Sequence, residues 1–139
     1  MAGASIEQLM FLVRSTLMAD TDVAALVDNR IHGGHLQNPD ATTAEYPLVV
    51  LDFRSGKALT AGYQSVLMEL MAYSRNNYGE ALRVYDACQA VLQQGLLRRD
   101  GVGVAGYAME EFRPLEGFNP DIRAYFVEGQ FTIRAGIRS

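Results

Sequence analysis

Two histidines stand three positions apart in His32-Gly33-Gly34-His35, with Asp40 and Glu45 downstream. Metal sites need three or four converging ligands. A glycine-rich loop does not pre-organise such a set, so an ordinary surface loop is the simpler reading and no metal is expected. Cys88 is the single cysteine. It excludes an internal disulfide and a cysteine-based zinc cluster. A reactive thiol needs exposure and an electropositive neighbourhood. Cys88 instead falls on an apolar helical stripe, which predicts a core position.

Ser55-Gly56-Lys57 is like the end of a phosphate loop, but position 51 is Leu where glycine is required, and position 58 is Ala where Ser or Thr is required. Gly101, Gly103 and Gly106 spell G-x-G-x-x-G. That fingerprint must follow a strand and open a helix. Here it follows a turn and runs into Tyr107-Ala108-Met109-Glu110, which has no helical period. No Gly-x-Ser-x-Gly elbow and no His-Glu-x-x-His run occurs. Glu110 and Glu111 are adjacent, and adjacent strand residues point to opposite faces. They are not expected to share a proton. No catalytic residue, cofactor or metal is therefore assigned, and the chain is not expected to be an enzyme.

The wider composition is consistent with a structural role. The chain has 139 residues, 49% of them hydrophobic and 20% charged. That length suggests one domain spanning 1–139, with about two thirds of the unfolded surface buried. Apolar runs are too short for a membrane span, and no secretory leader is evident, so a cytosolic product is expected. Twelve basic and sixteen acidic residues give a net charge of −4. The arginines are scattered and form no basic stripe, which argues against specific nucleic-acid recognition.

The elements that must position these residues follow from periodicity. Ile6, Leu9, Met10, Val13 and Leu17 form one face of a helix over about 5–18, with Ser5 and Gln8 as a capping box. Asp20-Thr21-Asp22 caps a short second helix ending near Asn29, and Arg30-Ile31 opens a short extended piece. Residues 32–45 form a loop rich in turn formers. Tyr46-Pro47 enters a strand, Leu48 to Phe53. Ser55, Gly56, Lys57, Ala58, Leu59, Thr60, Ala61 and Gly62 form a connection bracketed by glycines. A strand over 63–74 follows, with Val66, Met68, Leu70 and Ala72 toward the core. The helix after Asn77 carries the stripe Ala81, Val84, Tyr85, Cys88, Val91 and Leu92, and Gly95 closes it. Leu96-Leu97-Arg98 is a short strand. A glycine-rich strand over 102–112, a turn from Pro114 to Pro120 and a last strand over 122–137 complete the chain. The expected core is Leu9, Val13, Val50, Met68, Leu70, Tyr85, Cys88 and Leu92. The fold class is α+β, with a mostly antiparallel sheet, helices packed on one face and the order α-α-β-β-α-(β)-β-β.

The last strand is long. Sixteen residues span roughly 50 Å at ~3.3 Å each. Such a strand either projects beyond the core or is split by a bulge at Gly129.

Several pieces together resemble the tail-terminator, or tail-completion, proteins of long-tailed bacteriophages. They are Ala25-Leu26-Val27 with Arg30-Ile31, the entry Tyr46-Pro47-Leu48-Val49-Val50, and the exit Tyr73-Ser74-Arg75 into a helix. The match covers most of residues 6–112. It implies a structural virion protein of the neck or tail, assembled in the host cytoplasm, that caps the tail tube as a ring, usually hexameric. Its partners would be further copies of itself, the tail tube protein and the head-connector proteins. DNA would pass through the lumen without specific binding, and no membrane is involved. Six copies at −4 carry −24, which does not trap a passing polyanion. The expected subunit contacts are Ser55 to Gly62 and the C-terminal strands, with Arg123 and Tyr125. Another neck component, a head-closure or adaptor protein, is an alternative. A small ligand-binding or enzyme domain of the host is a further one.

Overall fold

The computed structural model describes residues 6–33, 45–60, 63–93, 97–98, 104–111 and 114–137. Helix α1 (Ile6–Met18) buries Leu9, Leu12, Val13 and Leu17 completely. Phe11, on its other side, is 54% exposed. Helix α2 (Thr21–Val27) starts at Asp20, whose carboxylate accepts from the backbone N–H groups of Asp22 and Val23, both at 3.0 Å. That satisfies donors a helix start would leave unpaired.

Strand β1 (Ile31–Gly33) pairs in parallel with β2 (Leu48–Thr60). Two arginines fix this corner. The Arg14 guanidinium donates to the Ile31 carbonyl at 2.8 Å, and that of Arg30 donates to the Pro47 carbonyl at 2.8 Å. The connection expected at 55–62 is different in kind. Residues 55–60 continue β2, with a register shift between Phe53 and Gly56, and β2 forms an antiparallel pair with β3 (Tyr63–Ser74) up to Thr60. The irregularity at Arg54–Ser55 is where the sequence pattern breaks, so the strand looked finished there.

Helix α3 (Tyr78–Leu92) buries Ala81, Val84, Tyr85, Cys88, Val91 and Leu92, the stripe its period predicts. Asn77 caps it, accepting from the Glu80 N–H at 2.7 Å. Glu80 in turn accepts from Ser74 Oγ at 2.7 Å, which ties the helix start to the end of β3. Gly95 lies outside the described residues.

Strands β4 (Leu97–Arg98), β5 (Val104–Glu110), β6 (Leu115–Asn119) and β7 (Ala124–Ile137) complete a seven-stranded sheet. The order is β1-β2-β3-β7-β5-β4, antiparallel apart from β1–β2, and β6 pairs with β7. The segment expected as a turn, Pro114 to Pro120, is mostly strand. β5 and β6 lie end to end along one edge of β7, opposite residues 131–137 and 124–128. The true turn is at 120–123. Glycine and two prolines made β6 look like a loop.

β7 runs unbroken beside β3 from Tyr125 to Gly136, with no bulge at Gly129. The glycine serves another purpose. A Cβ there would lie 1.8 Å from the Tyr85 hydroxyl oxygen, so only glycine seats that ring on the sheet.

The helices pack on one face of the sheet. Their core includes Val49, Leu51, Val66, Met68, Leu70, Ala72, Val127, Phe131 and Ile133 from the strands. Seven of the eight expected core residues are in it. Val50 is the correction: it is buried, but on the opposite face with Leu48 and Met71. Both faces of β2 are apolar there, so composition did not tell them apart.

Candidate assembly surface

The helix-free face of the sheet is built from alternate residues of the long strands. Near one end, Leu48, Val50 and Met71 are buried, with Tyr46 and Tyr73 packed on them. The Arg75 guanidinium lies 4.3 Å from the Tyr46 ring centre and donates to the Ile122 carbonyl at 3.1 and 3.3 Å. One arginine thus ties the β6–β7 turn to the end of β3. Further along, Glu69 is only 6% exposed, although it lies on the face away from the described helices. The Arg54 guanidinium meets it at 2.9 Å and approaches Asp52 at 3.6 Å. A buried carboxylate needs such a partner.

Arg123 closes the turn at this end and Tyr125 lies just after it, in β7. Arg123 is exposed and has φ 54°, a left-handed conformation that disfavours a side chain. With Arg75, Asp121 and Ile122 it lines an open groove. Tyr125 is half-buried, and its ring meets Phe118 edge-on at 4.9 Å. Phe118 is 49% exposed and Leu115 is 68% exposed, both on β6. Tyr78 donates its hydroxyl to the Glu116 carboxylate, linking β6 to the start of α3.

The expected contact segment is divided. Ser55, Gly56, Lys57, Ala58, Leu59 and Thr60 are backbone of β2, while Ala61 and Gly62 lie outside the described residues. The sheet places Ser55–Thr60 and Arg123 far apart. Lys57 pairs with Ser65 and Leu48 with Tyr73, beside the turn end of β7. β6 is the surface element the sequence reading missed. Its signal was Leu115 and Phe118, two large apolar residues in a segment otherwise made of turn formers.

The residues that the sequence singles out for possible chemistry are dispersed. His32 is partly buried in β1, and His35 and Asp40 lie outside the described residues. Burial, then the Arg14 and Arg30 charges, lower the His32 pKa from its usual 6.5. Among the described residues, no group of three or more His, Cys, Asp or Glu converges. Cys88 is fully buried, and burial pushes its thiol up to about 12, so it stays protonated. Glu110 and Glu111 do point apart. Glu110 accepts from the Tyr85 hydroxyl at 2.6 Å and the Gln89 amide at 2.8 Å, under the helices. Glu111 accepts from Thr132 on the other face. Burial, then that hydrogen bond to Glu110, raises the Tyr85 pKa. Gly106 lies in β5, while Gly101 and Gly103 are outside the described residues. No helix follows Gly106, since the strand continues to Glu110. No described helix is long and apolar enough to cross a membrane.

No protein family and no curated protein sequence matches the chain. The fold is found among solved structures. One chain of the virion of a native gene transfer agent particle superposes with a TM-score of 0.60, covering 97% of this chain and 99% of that one. The two sequences are 16% identical, so what they share is an α+β fold over nearly their whole lengths.

Proposed function

We propose that this chain is a structural virion protein of the phage type. It caps the tail tube as a ring, most simply of six copies, and joins it to the head connector. The observation that carries the reading is the end-to-end match of fold to a chain of a virion particle. The tail-terminator resemblance of residues 6–112 supplies the finer role. The whole of 1–139 acts as one unit, with contacts from Ser55 to Gly62, Arg123 and Tyr125. Its partners are its own copies, the tail tube protein and the neck proteins, and it works in the virion after assembly in the host cytoplasm. No step of this role needs catalysis, a cofactor or a metal. DNA passes through an acidic ring of −24 without being held.

The test is the double change Leu59→Asp with Lys57→Glu, read by light scattering and by a tail-assembly assay. Wild type is expected to form rings and to stop tube growth at a defined length, and the variant to do neither. Normal rings and normal tails from the variant would remove 55–62 from the contact. A wild type that binds connector without arresting the tube would favour a head-closure or adaptor role instead.

A further inference from the structure

Four large apolar side chains are well exposed among the described residues, and two of them, Leu115 and Phe118, sit on the five-residue strand β6. They lie on opposite faces of the sheet, because three positions separate them. An edge strand that carries exposed apolar groups on both faces is an unfinished sheet rather than a blunted one. Of the usual edge protection, β6 carries one charged side chain, Glu116, which is engaged by the Tyr78 hydroxyl of α3, and prolines only outside its ends, at 114 and 120. β6 has no lysine and no internal proline, and among the described residues only β7 pairs with it.

The same sheet has a second open stretch at its other side. β1 pairs with β2 only at Val49–Leu51. Among the described residues, no strand pairs with the outer edge of β2 beyond that point, although β2 continues to Thr60. The polarity of the two edges is complementary. β2 is antiparallel to β3, β3 to β7 and β7 to β6, so β6 and β2 run in opposite directions. A second copy in the same orientation therefore brings its β2 antiparallel to β6 of the first.

We propose that β6 is the docking edge for β2 of the next copy, so that one sheet runs on from subunit to subunit. This rests on the ring reading above and supplies its contact. The joint is head-to-tail, two different edges meeting, which is the kind of contact that closes into rings. It is also staggered. β6 is centred at Gly117, level with Phe126, whereas Gly56 in the open part of β2 is level with Ile133. Seven residues along β7 separate these levels, about 23 Å at ~3.3 Å per residue. A sheet that closes with such a stagger has strands inclined to the ring axis.

The experiment has two arms on the full chain. Leu115→Lys blunts the edge at a position that is 68% exposed, where a substitution leaves the monomer's fold intact. The expected result is a shift from ring mass to monomer mass with unchanged far-UV circular dichroism. In the second arm, Leu115→Cys and Lys57→Cys proteins are mixed and treated with a short bismaleimide; buried Cys88 is silent. Cross-linked dimer should form severalfold more in the mixture than in either protein alone. Rings that survive Leu115→Lys overturn this pairing and leave the ring reading standing. Leu115→Cys protein that cross-links best to itself replaces β2 with a second β6 and also overturns it. A wild type that forms no ring, alone or on tail tubes, overturns both.

Discussion

Gly129 and Tyr85 show how a single position fixes the packing of a helix on a strand. Tyr85 is fully buried, with its hydroxyl held by Glu110, so the ring has nowhere to move. Gly129→Ala puts a methyl 1.8 Å from the hydroxyl oxygen and 2.6 Å from Cζ. Overpacking of this kind costs about 1–3 kcal/mol, and a contact this short belongs at the upper end. The loss should appear as a lower denaturant midpoint with an unchanged slope, and Tyr85→Leu in the same chain should recover part of it. His32 gives a pH signature at the same scale. Its pKa in the fold lies below the usual 6.5, so between the two values the unfolded chain binds more protons. Stability should therefore be flat with respect to this group above pH 6.5 and fall as the pH drops through the window beneath it. His32→Gln should abolish that slope in pH-dependent melts. A slope that persists would place it on another group.

Helix α3 packs across β3, β7 and β5, and its contribution can be read by truncation. Leu92 is fully buried in the main cluster, so Leu92→Ala should cost about 2–5 kcal/mol. Asn77→Ala removes the cap and should cost about 1 kcal/mol. A loss below ~0.5 kcal/mol for Leu92→Ala in a denaturant melt would mean that this face does not carry the core. The same helix marks what was legible in the sequence. Its stripe has one apolar face and one polar face, so period alone places every buried residue. β2 carries no such contrast. Val49 and Val50 are both buried, on opposite faces, and only the pairing with Ala72 and Met71 assigns them. Gly117 hid β6, since a glycine between two prolines reads as a turn. In the fold it admits the Phe126 ring, which a Cβ would meet at 2.7 Å. The segment Ser55 to Thr60 reads as a connection and is strand in the fold, because the β-bulge at Arg54–Ser55 breaks the alternation. Leu115 and Phe118 were in plain view, but only the sheet order shows that they stand on an edge.

At the scale of the whole molecule, the question is which force opposes assembly. In the proposed ring each copy would carry −4, so six copies of 15.3 kDa would make a particle of about 92 kDa with a charge of −24. Self-repulsion of that kind weakens a ring at low salt and is screened once the Debye length falls to about 8–10 Å. The proposed joint consists of backbone hydrogen bonds and the apolar side chains Leu115 and Phe118, which salt does not weaken. Rings should therefore form at lower protein concentration in about 0.3 M salt than in about 0.03 M salt, between which the Debye length falls roughly threefold. Sedimentation velocity across a dilution series at the two salts measures this directly. An interface held by ion pairs, such as one centred on Lys57 and Arg123, predicts the opposite trend, since screening would loosen it. Rings that dissociate as salt rises would thus assign the contact to charged residues and remove β6 from it.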